Sequence, residues 1–133
     1  MIILDSSVLI AILLKEPDYE NIIDRISTAS EVAISTATEL ELHVVVTRKG
    51  IEAGVERLQA FLERIGAMSV PFTSEQLELA KAAFDRFGRT RHPAKLNFGD
   101  CFSYALAREL NAPLLFVGDD FSQTDIRSAM VRT

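Results

Sequence analysis

The sequence predicts an α/β fold: a central, mostly parallel sheet with helices on both faces, in a three-layer α/β/α arrangement. Two observations carry that prediction. Short apolar runs at positions 2–4, 32–34, 68–70 and 114–117 alternate with stretches whose apolar residues recur at helical spacing. No linker, repeat or low-complexity tract interrupts the alternation, so the 133 residues read as one domain, 1–133. A domain of that size buries roughly two-thirds of its unfolded surface and supports a proper core.

Each element has its own justification. Ile2, Ile3 and Leu4 form a strand that ends on Asp5, and the apolar run 8–14 forms a helix capped by Asp5 or a following serine. Pro17 suits the first turn of the next helix, where Tyr19, Ile22, Ile23 and Ile26 fall at i, i+3, i+4 and i+7. Residues 32–34 make the second strand, and Ser35 or Thr36 caps a helix that runs to Gly50. On that helix Glu39, His43 and Thr47 form a polar stripe, whereas Leu40 with Val44, Glu41 with Val45 and Leu42 with Val46 share the apolar sector. Glu41 is therefore an acid on an apolar face.

A helix over about 53–65 buries Val55, Leu58, Leu62 and Ile65, and residues 68–70 form the third strand. Thr73 and Gln76 have capping-box spacing and open a helix with Leu77, Ala80, Phe84 and Phe87 on one side, ending at Gly88. Arg86, Arg89, Arg91, His92 and Lys95 follow without an acid, and Gly88 and Pro93 make this stretch a basic loop. Asn97-Phe98-Gly99-Asp100 leads into a helix with Phe102, Ala105 and Leu106 as its core face. Residues 114–117 are a buried strand ending in Gly118-Asp119-Asp120, and 125–130 close the chain as a helical turn with a last edge strand.

Composition removes several classes of function. A net charge of −5 argues against nucleic-acid binding through bulk positive charge, so any such contact is local. The apolar start has no basic segment, carries Asp5 and breaks at Lys15-Glu16-Pro17, which fits neither a signal peptide nor a membrane span. The single cysteine, Cys101, forms no internal disulfide and reads as a buried inert thiol of a reducing, cytoplasmic compartment. His43 lies on a polar stripe and His92 in the basic loop, which leaves zinc without ligands.

The acids carry the chemistry. Asp5 follows the first strand, Asp119 the last, Asp100 opens a helix and Glu41 faces a core. In a parallel sheet such positions converge on the crevice past the carboxyl ends of the strands. Each acid also has a plain structural role: Asp5 as a cap, Asp100 as a helix-dipole partner, Asp119 and Asp120 as turn residues. Glu41 has none, because an unpaired carboxylate facing a core is costly. Gathered together the four repel one another unless a divalent cation lies between them, and an all-oxygen site suits Mg²⁺ or Mn²⁺. Such a cation activates water against a phosphodiester.

These segments together resemble the PIN-domain ribonucleases, and within them the VapC-type toxins of type II toxin–antitoxin pairs. The resemblance rests on Ile3-Leu4-Asp5-Ser6-Ser7 with Leu13-Leu14-Lys15-Glu16-Pro17 behind it, Thr38-Glu39-Leu40-Glu41, Leu96-Asn97-Phe98-Gly99-Asp100 and Val117-Gly118-Asp119-Asp120-Phe121, and it spans nearly the whole chain. It implies Mg²⁺- or Mn²⁺-dependent cleavage of RNA and inhibition by a cognate antitoxin. It further implies a homodimer, or a larger assembly with antitoxin. By position it makes Asp5, Glu41, Asp100 and Asp119 the catalytic quartet, with Asp5 and Asp100 on the metal and Glu41 and Asp119 reaching it through water. Ser7 and Asn97 become supporting residues, as does Asp120, the direct competitor of Asp119; Glu39 competes with Glu41. Many relatives have threonine where Ser6 and Val117 stand. In the basic loop Arg89, Arg91 and Lys95 are the candidates for phosphate contact, set against a plainly solvated loop.

Rival readings lack their residues. A receiver-type phosphoacceptor module needs an acidic pair after the first strand and a lysine after a late one, and a haloacid-dehalogenase-like phosphatase needs Asp-x-Asp where Ser7 stands. No glycine-rich nucleotide loop is present. A PIN-fold nuclease that processes RNA or cuts DNA outside a toxin–antitoxin pair is the serious alternative.

Overall fold

The computed structural model describes residues 1–88 and 93–130. Its elements run β1 (Ile2–Leu4), α1 (Ser6–Leu13), α2 (Tyr19–Ser27), β2 (Val32–Ser35), α3 (Thr36–Arg48), α4 (Gly54–Arg64), β3 (Met68–Val70), α5 (Ser74–Phe87), α6 (Phe98–Leu110) and β4 (Leu114–Leu115). The four strands pair in the order β3-β2-β1-β4, all parallel. Strand pleating then divides the core into two layers. Ile2, Leu4, Val32, Ile34 and Leu115 pack with Leu9, Ile22, Ile26, Leu42, Val46 and Leu58 from α1 to α4. Ile3, Ala33 and Leu114 face the opposite way, onto Ala83, Phe87, Leu106 and Ala107 of α5 and α6. This is the expected three-layer α/β/α fold.

Order 3-2-1-4 fixes where a site can form. From β1 the chain builds outward through β2 and β3, then returns to lay β4 on the other side of β1. The switch point lies between β1 and β4, where loops at the carboxyl ends of the strands part and leave a crevice. Asp5 leaves β1 there, its N–H held 3.0 Å from the Leu115 carbonyl.

Four local expectations change. Leu40 and Val44 are exposed, and the buried stripe of α3 is Thr38, Leu42 and Val46. On α5 the buried residues are Gln76, Ala80, Ala83 and Phe87, whereas Leu77 and Phe84 face outward. Gln76 is drawn inward because its amide donates to Pro71 O at 3.0 Å and to Glu109 Oε1 at 3.1 Å, which satisfies two of its hydrogens inside the core. The last strand is shorter than its apolar run, since Val117 has already emerged at 44% exposure. The segment 125–130 contributes a single parallel bridge, Ser128 to Leu114, without a helical turn. Of the basic loop, Arg89, Arg91 and His92 lie outside the described residues.

Candidate active site

Asp5 is the best-anchored acid in the molecule. It caps α1, so one carboxylate oxygen, Oδ2, accepts from Ser7 N–H at 3.1 Å and from Ser7 Oγ at 2.6 Å. Its other oxygen, Oδ1, accepts from Ser103 Oγ on α6 at 2.6 Å. Ser7 Oγ in turn accepts from Val117 N–H at 3.0 Å, which ties the β1 and β4 loops together across the crevice. Asp5 is only 3% exposed, and burial pushes its carboxyl above the usual range while the Ser103 and Ser7 hydrogen bonds pull it back.

Asp100 occupies the third position of α6 in a reciprocal capping box. Its Oδ2 accepts from Asn97 N–H and its own N–H donates to Asn97 Oδ1, both at 2.9 Å. Asn97 thus shapes the turn that presents Asp100 to the crevice. Burial pushes the Asp100 carboxyl up to about 7; the Asn97 N–H opposes that, and the Asp5 charge, the Asp120 charge and a side-chain hydrogen bond with Asp120 add to it. Two carboxyls in hydrogen-bond contact share a proton more readily than both ionise.

Glu41 reaches the cluster from α3, its carboxylate lying against the Gly99 backbone in the first turn of α6. Its Oε1 is buried and, among the described residues, has no hydrogen-bond partner. Burial raises its pKa, the Asp5 charge raises it further, and a hydrogen bond from Ser6 lowers it.

Of the expected residues, the fold therefore brings together Asp5, Glu41, Asp100, Ser7 and Asn97. Of the two consecutive acids, Asp120 is the one whose carboxyl acts on that of Asp100. Asp119 and Asp120 are both exposed, and the Asp119 carbonyl accepts from Ser122 N–H and Oγ at 3.2 and 2.7 Å. The Asp119 carboxylate makes no hydrogen bond or ion pair among the described residues. Lys95 is exposed in a left-handed conformation, φ 54°.

Ser103 escaped the reading of the sequence. A signal was present, since Ser103 stands three residues after Asp100 on the same helical face and is the one serine in the helix that Asp100 opens. Cys101 stays outside the chemistry: its Sγ donates to Asn97 O at 3.3 Å, and burial together with the Asp100 charge pushes the thiol up to about 11.

The donor set fits a hard divalent cation. Every polar side chain at the crevice offers oxygen, the acids raise one another's pKa, and Glu41 Oε1 stands unpartnered. No three acidic, histidine or cysteine side chains among the described residues are by themselves arranged to hold an ion. A hard cation here would therefore need water to complete its coordination.

The chain is similar to known proteins. Residues 2–127 match the family model of the PIN domain. The chain is 40% identical over 124 residues to Ribonuclease VapC of Mycolicibacterium smegmatis, spanning 93% of this chain and 96% of that protein. It is equally 40% identical to Ribonuclease VapC30 of Mycobacterium tuberculosis, over 93% of this chain and 95% of that one. Among solved structures, the fold resembles the M. tuberculosis toxin VapC20, which cleaves the Sarcin-Ricin loop, with a TM-score of 0.79, 18% identity and full coverage of both chains. It also resembles the VapBC2 complex of Rickettsia felis bound to a DNA fragment from its promoter, with a TM-score of 0.75, 21% identity and 96% coverage of each chain.

Proposed function

The chain belongs to the PIN-domain family, among the VapC ribonucleases, and on that footing we propose that it is a toxin that hydrolyses RNA phosphodiesters with the help of Mg²⁺ or Mn²⁺. The observation that carries this reading is the meeting of Asp5, Glu41 and Asp100 at the switch point of the sheet, desolvated by burial, with the exposed Asp120 beside Asp100. Asp5 and Asp100 would hold the cation directly, with Glu41 and Asp120 acting through its waters; Asp120 takes the place first given to Asp119. The cation would supply activation of water and neutralise charge that builds on the phosphodiester.

The chain's own residues do the rest. Ser7 and Ser103 clamp both Asp5 oxygens, so that carboxylate enters the reaction already oriented and loses little freedom. Asn97 N–H fixes Asp100 Oδ2 and leaves Oδ1 free, so this carboxylate too is oriented before the cation arrives. Lys95, with Arg89 and Arg91, would hold the flanking phosphates; these cations are local, in keeping with the acidic balance of the whole chain.

We assign it an antitoxin partner that silences the site. VapBC complexes among the similar folds support that assignment. Pairing of two copies is supported by Leu40, Val44, Leu77, Phe84 and Phe98, all exposed on α3, α5 and the start of α6.

The test is cleavage of a mixed RNA pool by purified protein. Cleavage is expected with Mg²⁺ or Mn²⁺, none with EDTA, and a drop of roughly a hundredfold or more for folded Asp5→Ala. Full activity in EDTA, or in folded Asp5→Ala, overturns the reading.

A further inference from the structure

Gly99 stands where α3 and α6 meet at the acidic crevice, and its missing side chain is occupied space. A Cβ built there would overlap the Glu41 carboxylate, with Oε2 the first atom struck and Cδ and Oε1 close behind. The glycine is fully buried, with φ outside the left-handed region, so no backbone strain accounts for it. Helix propensity argues against it as well, because alanine is the better residue inside a helical turn. Glu41 is partly exposed, so its carboxylate can yield by leaving the cluster. It leaves α3 between buried Thr38 and Leu42, and α1 lies on its other side, where Ser6 hydrogen-bonds it.

We propose that Gly99 is a positioning residue: by lacking a side chain it lets the Glu41 carboxylate lie on the first turn of α6 and reach the cluster beside Asp5 and Asp100. Any larger residue at this position swings the carboxylate away from the crevice. The spacing is steric and acts through Glu41 alone; Asp5, held by Ser7 and Ser103, and Asp100, held by Asn97, keep their places. In catalytic terms the inference rests on the proposed metal-dependent cleavage, but the contact itself does not.

The experiment combines Gly99→Ala with two changes at Glu41, reading thermal stability, Mn²⁺ affinity by calorimetry with the metal alone, and RNA cleavage. Gly99→Ala is expected to fold and to weaken Mn²⁺ binding and cleavage about tenfold, the scale of lost support behind a metal ligand. In the Glu41→Asp background, whose side chain is one methylene shorter, the same change should cost less than in the parent. In the Glu41→Ala background Gly99→Ala should be neutral or stabilising to the fold, since the group it strikes is gone. Equal Mn²⁺ affinity and cleavage in Gly99→Ala and parent overturn the proposal. So does a loss of stability on Gly99→Ala that is as large without the Glu41 side chain as with it. That stability comparison decides even if Gly99→Ala alone fails to fold. A parent that binds no Mn²⁺ defeats the proposed function, and the stability comparison then rules on Gly99 separately.

Discussion

A carboxylate buried at a strand end is defined by what holds each of its oxygens. Asp5 has both oxygens engaged, Asp100 has one held by the Asn97 N–H, and Glu41 has one with no partner among the described residues. The fourth member we propose is Asp120. Asp120 raises the Asp100 pKa and shares a hydrogen bond with it, whereas Asp119 spends its backbone carbonyl on a turn. Asp120→Asn should therefore cut RNA cleavage roughly 10- to 100-fold, as loss of a supporting group at a metal site does. Asp119→Asn should stay within about twofold of the parent, as an ordinary surface change does. Steady-state cleavage rates of the two variants, measured side by side, check the assignment; the opposite ranking would restore Asp119. The adjacency of two identical acids hides this choice from the sequence; the next residue, Phe121, is buried in the core and anchors the segment that carries both.

At the scale of the element, α3 shows how an apolar pattern divides once a helix is docked. Leu40, Leu42, Val44, Val45 and Val46 cover much of the helix circumference, so periodicity alone does not select the buried side. Docking selects Leu42 and Val46 against the sheet and leaves Leu40 at 66% exposure. Leu42→Ala should destabilise by about 2–5 kcal/mol through the cavity it leaves. Leu40→Ala should change the stability of the isolated chain by no more than about 0.5 kcal/mol. Chemical denaturation of both variants at concentrations where the chain is a monomer separates the two positions. Glu41 sits between them, turned toward α6.

For the whole molecule, the cost of assembling the acids should appear as pH-dependent stability. Asp5, Glu41 and Asp100 all have pKa values raised on folding. A group raised in the folded state contributes stability fully below its unfolded pKa and loses that contribution as the pH climbs through the folded value. For Asp100 the window runs from about 4, the ordinary carboxylate value, up to about 7. In EDTA the protein should accordingly melt at a higher temperature at pH 5 than at pH 8, and Asp100→Asn should shrink that difference. Mg²⁺ should raise the melting temperature more at pH 8 than at pH 5, because the carboxylates must be ionised to bind it. Melting temperatures that are flat with pH and indifferent to Mg²⁺ would falsify the idea that these acids are held together against their repulsion.

The order of strands and helices, the parallel sheet and the candidacy of Asp5, Glu41 and Asp100 are all legible in the sequence. Strand ends, caps and turn residues are local, and hydrophobic alternation reports burial without knowledge of neighbours. Tertiary packing alone decided that the sheet reverses between β1 and β4, that Ser103 completes the hold on Asp5, that Asp120 meets Asp100, and that Gly99 makes room for Glu41. Those facts are distances between residues far apart along the chain, and no local preference encodes them: they arise when helices from both faces and the loop after β4 meet past the ends of the strands.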